Sequence, residues 1–164
     1  MLIDLHVHSN MSDGTLTPSE VIELAIDSNL SVLALTDHDT IDGIEEANSK
    51  VKDLKDKGIN ITLVPGVELS VTYKERDIHM LGLFVDTNNY RLKIALDEAK
   101  EKRERRNEKM ASNFRKAGIP ITVEKLKEYE EDAVITRAHF ATYLVDNGYA
   151  KTNKEAFKKF LGKD

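Results

Sequence analysis

The first residues of the chain alternate between apolar and polar side chains. Positions 3, 5 and 7 are apolar and positions 4, 6 and 8 are polar, which is the period-two pattern of a β-strand. On such a strand His6 and His8 project from one face and can bind a metal ion together, and Asp13 adds a carboxylate on the following loop. The same spacing also fits a pair of ordinary strand histidines facing a polar crevice.

Three later segments are apolar enough to be strands, and each carries a potential metal ligand at or near its end. These are residues 32–36 followed by His38, residues 61–69 with Glu68, and residues 78–84 with His79. We expect the third strand to end at Glu68. Because active sites of parallel α/β folds lie at the carboxyl ends of strands, the shared position favours a metal centre. An unpaired buried carboxylate is costly, which favours a ligand role for Glu68, whereas backbone groups could satisfy His79.

Helical patterns separate the first three predicted strands. Residues 17–20 form a capping box with proline at the first helical position, and the apolar periodicity continues to about residue 29. A second helix is predicted from residues 42–43 to Gly58. The β-α-β order favours a parallel sheet, while the polar residues 73–77 predict a turn that pairs strands three and four as a hairpin.

The chain changes character at residue 88 and becomes helical. We predict helices over about 88–117, 123–131, 137–147 with Gly148 after its end, and 152–162, the last starting with a second capping box. Residues 1–87 are therefore expected to form the strands and ligand loops, and residues 88–164 a helical insertion.

Composition excludes several classes of protein. The 164 residues include 24 Lys and Arg and 29 Asp and Glu, for a net charge of −5, so no general nucleic-acid surface and no binding to duplex DNA are expected. There is no cysteine, which excludes disulfides and thiolate metal sites. No apolar run predicts a membrane span, and the amino terminus lacks a signal-peptide pattern. We expect a soluble cytoplasmic protein.

Taken together and in order, the motifs resemble the PHP family, named for polymerase and histidinol phosphatase. They are His6-x-His8, Asp13-Gly14, Thr36-Asp37-His38-Asp39, Gly66-Val67-Glu68 and His79. The later sequences 137–141 and 146–149 look like the branch that cleaves small nucleotides or RNA ends. The resemblance implies an α/β fold, the N-terminal part of a distorted (β/α)7 barrel with a helical insertion.

The resemblance also implies two or three divalent metal ions, Mn, Zn or Fe, and assigns their ligands. His6, His8 and Glu68 would hold the first ion, Glu68 would bridge to a second that His79 also binds, and Asp13 and His38 would bind a third. These six residues would be the catalytic set, with a hydroxide bridging the metals as nucleophile. Either aspartate beside His38, Asp37 or Asp39, would orient an imidazole or serve an ordinary loop or N-cap role.

Four residues of the insertion are candidates for substrate binding: Arg103, Arg106, Arg137 and His139. In the resembling branch, arginines of such an insertion hold a substrate phosphate, which suits the guanidinium fork. Arg103 and Arg106 are also compatible with a solvated charged face beside neighbouring glutamates. Arg137 begins a predicted helix, where backbone N–H groups also favour anions.

The resemblance predicts a metal-dependent phosphoesterase that acts on nucleotide 3′,5′-bisphosphates or the 5′ ends of short RNA. The alternatives are a histidinol-phosphate-type phosphatase, an amidohydrolase-like deaminase and a catalytically incomplete module that binds metal. Barrels of the family continue with strands that bring another histidine and an Asp-x-His pair to the metals. We therefore expect these 164 residues to be a fragment that, alone, binds metal weakly and is weakly active or inactive.

Overall fold

The computed structural model describes residues 1–74, 76–128 and 133–162. The chain divides into two compact units, Met1–Glu101 and Lys102–Asp164. The first unit contains a four-stranded sheet in the order β1-β2-β3-β4. Its elements are β1 (Leu2–Val7), α1 (Pro18–Asp27), β2 (Leu30–Leu35), α2 (Ile44–Asp56), β3 (Thr62–Tyr73) and β4 (Arg76–Leu83).

The predicted β-α-β order and parallel pairing are confirmed. β1 pairs parallel with β2, and β2 pairs parallel with β3. The capping box at the start of α1 is present, with Thr17 and Glu20 each accepting the other's backbone N–H. Helices α1 and α2 pack with the sheet in a core that includes Ile22, Leu33 and Leu35, each at most 1% exposed.

The expectation that the third strand ends at Glu68 is wrong, because β3 continues to Tyr73. Residues 62–65 pair parallel with β2, and residues 66–73 pair antiparallel with β4. Because the hairpin partner satisfies the backbone of residues 69–73, the strand has no reason to stop; the predicted hairpin pairing is confirmed. At Gly66, where the pairing changes, a Cβ would lie 2.6 Å from Thr36 Cγ2 and 3.0 Å from Leu35 O, so the strand requires glycine.

Helix α3 (Tyr90–Lys116) begins in the first unit and continues into the second. The second unit also contains α4 (Val123–Lys127), α5 (Arg137–Asp146) and α6 (Asn153–Lys159). Its core includes Phe114, Ile121, Leu126, Phe140 and Leu144. The end predicted for α4, near residue 131, lies outside the described residues, and α6 ends three residues before the predicted limit. Among the described helices, none combines the length and apolarity that a membrane span requires.

Candidate metal centre

Glu68 lies in the middle of β3, and its side chain is only 4% exposed. The segment after β2 stays paired with β3 beyond the end of β2: Glu68 N donates to Asp37 O (3.1 Å), and Asp39 N donates to Glu68 O (2.9 Å). His38 and Glu68 therefore form a parallel bridge. This backbone pairing is the local reason that His38 lies beside the buried carboxylate.

Four imidazoles converge on the Glu68 carboxylate. Oε2 lies 3.1 Å from His6 Nε2, 2.9 Å from His8 Nε2 and 3.3 Å from His38 Nδ1. Oε1 lies 2.8 Å from His79 Nδ1. The rings follow one another at centroid distances of 5.1, 4.7 and 4.8 Å in the order His6, His8, His38, His79. Residues from β1, the loop that follows it, the segment after β2 and β4 thus meet around one acidic group.

The histidines determine the electrostatics of this carboxylate. Burial alone would raise the pKa of Glu68, but the hydrogen bond from His6 and the charges of His38, His79 and His8 lower it below its ordinary value. Burial likewise would lower the pKa of His8, but the hydrogen bond to Asp13 and the nearby carboxylate charges raise it. The carboxylate is therefore held in the ionised form that binds cations.

Asp13 connects His8 with His38. Asp13 Oδ1 accepts a hydrogen bond from His8 Nδ1 (2.8 Å), and Oδ2 lies 3.6 Å from His38 Nε2. An ionised carboxylate only accepts, so in the neutral His8 ring this hydrogen bond places the hydrogen on Nδ1 and the lone pair on Nε2. The loop that carries Asp13 packs against His8 itself: a Cβ at Gly14 would lie 2.4 Å from His8 O.

The donors around Glu68 fit a cation. His8 Nε2 is buried and, among the described residues, makes no hydrogen bond, although Glu68 Oε2 is 2.9 Å away. In the neutral ring the Nε2 lone pair faces the anionic Oε2 and is repelled by it, and a shared cation would remove this repulsion. Three groups of ligand atoms each lie within 4.8 Å: His6, His8 and Glu68; His8, Asp13 and His38; and His38, Glu68 and His79. Imidazole and carboxylate suit Zn, Mn and Fe.

The two aspartates beside His38 contact backbone and hydroxyl groups. Asp37 is 2% exposed and accepts hydrogen bonds from Ser9 and Ser12. Burial raises the pKa of Asp37, and the hydrogen bonds from Ser12 and Ser9 oppose that rise without cancelling it. Asp39 has a positive φ of 52° and accepts a hydrogen bond from Ser70 N (2.7 Å). These contacts agree with the loop role that the sequence left open.

Ser9 and Ser12 are the residues near the site that the sequence did not reveal. Both are completely buried in the loop between His8 and Asp13. A serine in a polar turn is common, and only the pairing with the distant Asp37 distinguishes these two. A Ser-x-x-Ser spacing immediately after the histidines is the one local signal.

The substrate-binding candidates of the second unit differ in their surroundings. Arg103 is only 7% exposed, and Arg106 donates to Asn107 Oδ1 (3.3 Å). Arg137 is the first residue of α5, and Thr136 is its N-cap. His139 Nδ1 accepts the Thr136 N–H (3.0 Å), so the imidazole takes the place that Glu or Gln has in a capping box. In the neutral ring this leaves Nε2–H as the donor.

A pocket of about 330 Å³ in the second unit has cationic and apolar walls. Arg137, Lys159 and Asn113 supply polar groups, and Phe114 and Phe160 supply aromatic surface. Lys159 is also paired with Glu155 at 2.6 Å. The wall that Arg137 contributes is compatible with an anionic ligand.

Two curated bacterial proteins are similar in sequence to this chain. The chain is 40% identical over 159 residues to a 5′-3′ exoribonuclease of Haemophilus influenzae and 36% identical over 160 residues to a 3′,5′-nucleoside bisphosphate phosphatase of Chromobacterium violaceum. Each alignment includes 97% of this chain but only 56% and 54% of the relative. The chain therefore spans about half the length of these curated relatives.

A solved structure confirms the fold class. A protein of Bifidobacterium adolescentis that is described as a metal-dependent phosphoesterase superposes with a TM-score of 0.87 at 28% identity, over 99% of this chain and 56% of that one. The predicted α/β fold, as part of a longer barrel, is thus correct. A model of the PHP domain matches residues 4–162. With this match over nearly its whole length, the chain belongs to the PHP domain family.

Proposed function

We propose that this chain supplies the metal-binding half of a phosphoesterase that hydrolyses nucleotide 3′,5′-bisphosphates or the 5′ ends of short RNA. The observation that carries the proposal is the convergence of four imidazoles on the buried Glu68 carboxylate, with Asp13 beside them. Two relatives, an exoribonuclease and a nucleoside bisphosphate phosphatase, act on substrates of this kind. In each relative, nearly half of the length lies outside the matched region. We therefore propose that C-terminal strands of the same protein supply further metal ligands.

The metal centre is proposed to hold two or three Mn, Zn or Fe ions. Bound divalent ions at such a site supply Lewis-acid charge and a water of lowered pKa. The two Glu68 oxygens face different histidines, Oε2 toward His6 and His8 and Oε1 toward His79. This division suits a carboxylate that bridges two ions.

Asp13 and His38 are proposed to bind a further ion. Asp13 Oδ1 accepts the Nδ1–H of His8, which fixes that ring in the tautomer that offers Nε2 as a ligand. Asp13 Oδ2 remains directed to His38 Nε2, 3.6 Å away. The Asp13 carboxylate would thereby orient His8, a ligand of one metal ion, and would itself bind the neighbouring ion.

Substrate recognition is proposed to use Arg137, with Arg103, Arg106 and the Nε2–H of His139. A guanidinium at the first position of α5 combines a planar donor pair with the N–H groups of the helix start. Arg137 would bind the phosphate that is not cleaved. No specific feature of the described residues favours histidinol phosphate over a nucleotide. We also propose that the protein is cytoplasmic, as the sequence predicts.

Kinetics on two substrates test the recognition role. Replacing Arg137 with Ala in the full-length protein should leave metal content and hydrolysis of a simple aryl phosphate unchanged. The same change should lower kcat/KM for a nucleotide 3′,5′-bisphosphate by about 1.5–3 kcal/mol, the range for hydrogen bonds to charged groups. Arg91→Ala, which truncates an exposed arginine of α3, is the matched control.

The outcome also separates the alternatives. An equal loss on both substrates would return Arg137 to a structural role at the start of α5. Absence of metal-dependent hydrolysis from the parent protein with either substrate would contradict the proposed function itself.

A further inference from the structure

Asp37 is a buried carboxylate whose described hydrogen bonds go to a loop that precedes it by 25–28 residues. Oδ1 accepts from Ser9 N (2.8 Å) and Ser12 Oγ (2.6 Å), and Oδ2 accepts from Ser9 Oγ (2.7 Å). None of these donors is an imidazole. The O–H···O distances are in the range of hydrogen bonds to an ionised acceptor, the stronger class in proteins.

The loop between His8 and Asp13 is thus held at both ends. Ser9 O accepts from Ser12 N (3.1 Å) and Gly14 N (2.9 Å), so the turn is closed by its own backbone as well. Ser9 lies next to His8, and Ser12 lies next to Asp13. The contacts to Asp37 therefore fix the backbone on which two candidate ligands are carried, and they link it to the segment that carries His38.

We propose that Asp37, Ser9 and Ser12 form a positioning clamp that sets the metal affinity of the group His8, Asp13 and His38. This inference rests on the proposed function, since it assigns the clamp to that same centre. Asp13 belongs to this group and to neither of the groups that contain Glu68. Loosening the loop displaces the Asp13 carboxylate first, because Asp13 lies within the loop, whereas His8 directly follows β1 and His38 is held by its bridge to Glu68. The clamp residues act as positioning residues, through the backbone that carries the ligands.

Ser12→Ala tests the proposal, because it removes one hydroxyl donor to Asp37 and changes none of the ligand side chains themselves. Titration of the full-length protein with Mn²⁺, followed by the EPR signal of the free ion, gives the stepwise dissociation constants. We expect one constant to rise about 10–100-fold, the usual cost of losing a group that orients a ligand, with the others unchanged. Ser49→Ala, which removes an exposed hydroxyl bonded to Glu45 O, is the control. Asp37→Asn should act in the same direction and more strongly.

A second readout needs no metal. In the metal-free parent at alkaline pH, ¹⁵N NMR should show the His8 ring as the Nδ1–H tautomer, set by Asp13. Ser12→Ala should shift that tautomer equilibrium, and Ser49→Ala should not. A Ser12→Ala protein that matches Ser49→Ala in both readouts would overturn the clamp, as would equal weakening of every metal step. If the parent bound no Mn²⁺, the proposed function would fail, and the tautomer comparison alone would decide for or against the clamp.

Discussion

Glu68→Gln is the substitution that perturbs the centre most with the least change of shape. The side chain is 4% exposed and lies within 3.3 Å of a nitrogen on each of four histidines. Glutamine keeps the volume but removes the charge that both ions of a bridged pair would share. Removal of one partner from a buried charge pair costs about 3–5 kcal/mol, which corresponds to roughly two to four orders of magnitude in metal affinity.

The assay for this substitution is metal content by mass spectrometry together with Mn²⁺ titration. Hydrolysis of the bisphosphate should fall together with metal occupancy, because the carboxylate acts through the ions. Glu98→Gln, on the exposed surface of α3, should bind metal like the parent, and thermal melting would show that both variants are folded. Unchanged stoichiometry and rate in a folded Glu68→Gln protein would refute the bridging role.

Three further predictions concern the scaffold. Gly14→Ala should lower the melting temperature and weaken metal binding, because its Cβ would meet His8 O at 2.4 Å, whereas Gly82→Ala, with contacts of 3.4 Å, should be tolerated in both assays. Burial opposes the ionisation of Asp42, but the hydrogen bond and charge of Lys100 lower its pKa below the ordinary 3.8. The pair therefore stabilises the fold above about pH 4, and this stability is lost as pH falls through the lowered pKa. Lys100→Met should raise the Asp42 pKa measured by NMR, and an unchanged value would contradict the pairing. Phe140→Ala should cost about 3–5 kcal/mol in denaturant unfolding, because the ring is completely buried.

The sequence identified the side chains that converge on Glu68 better than it predicted the extent of the strands around them. His6 and His8 were identifiable because a strand alternates its faces, and Glu68 because a lone carboxylate in an apolar run is costly to bury. The extent of β3 was missed, since the antiparallel partner that supports residues 69–73 is a tertiary feature. The sequence alone therefore gave no physical reason for the strand to continue past Glu68.

Residues whose role depends on distant partners were the hardest to predict. Asp37 accepts hydrogen bonds from a loop more than twenty residues earlier, and no local pattern specifies that contact. His139 caps α5 through Nδ1, a role that the Glu or Gln signature of a capping box does not anticipate. Local periodicity predicted most helices because their caps and apolar faces are encoded within one segment.

Anomalous X-ray diffraction from crystals of the full-length protein grown with Mn²⁺ tests most directly whether metal ions bind at Glu68. Anomalous peaks should lie between Glu68 and the surrounding imidazoles, with at least one within bonding distance of His6, His8 and Glu68 and a further one beside His79. Manganese peaks confined to other parts of the molecule, with Glu68 still hydrogen-bonded to histidine, would contradict it.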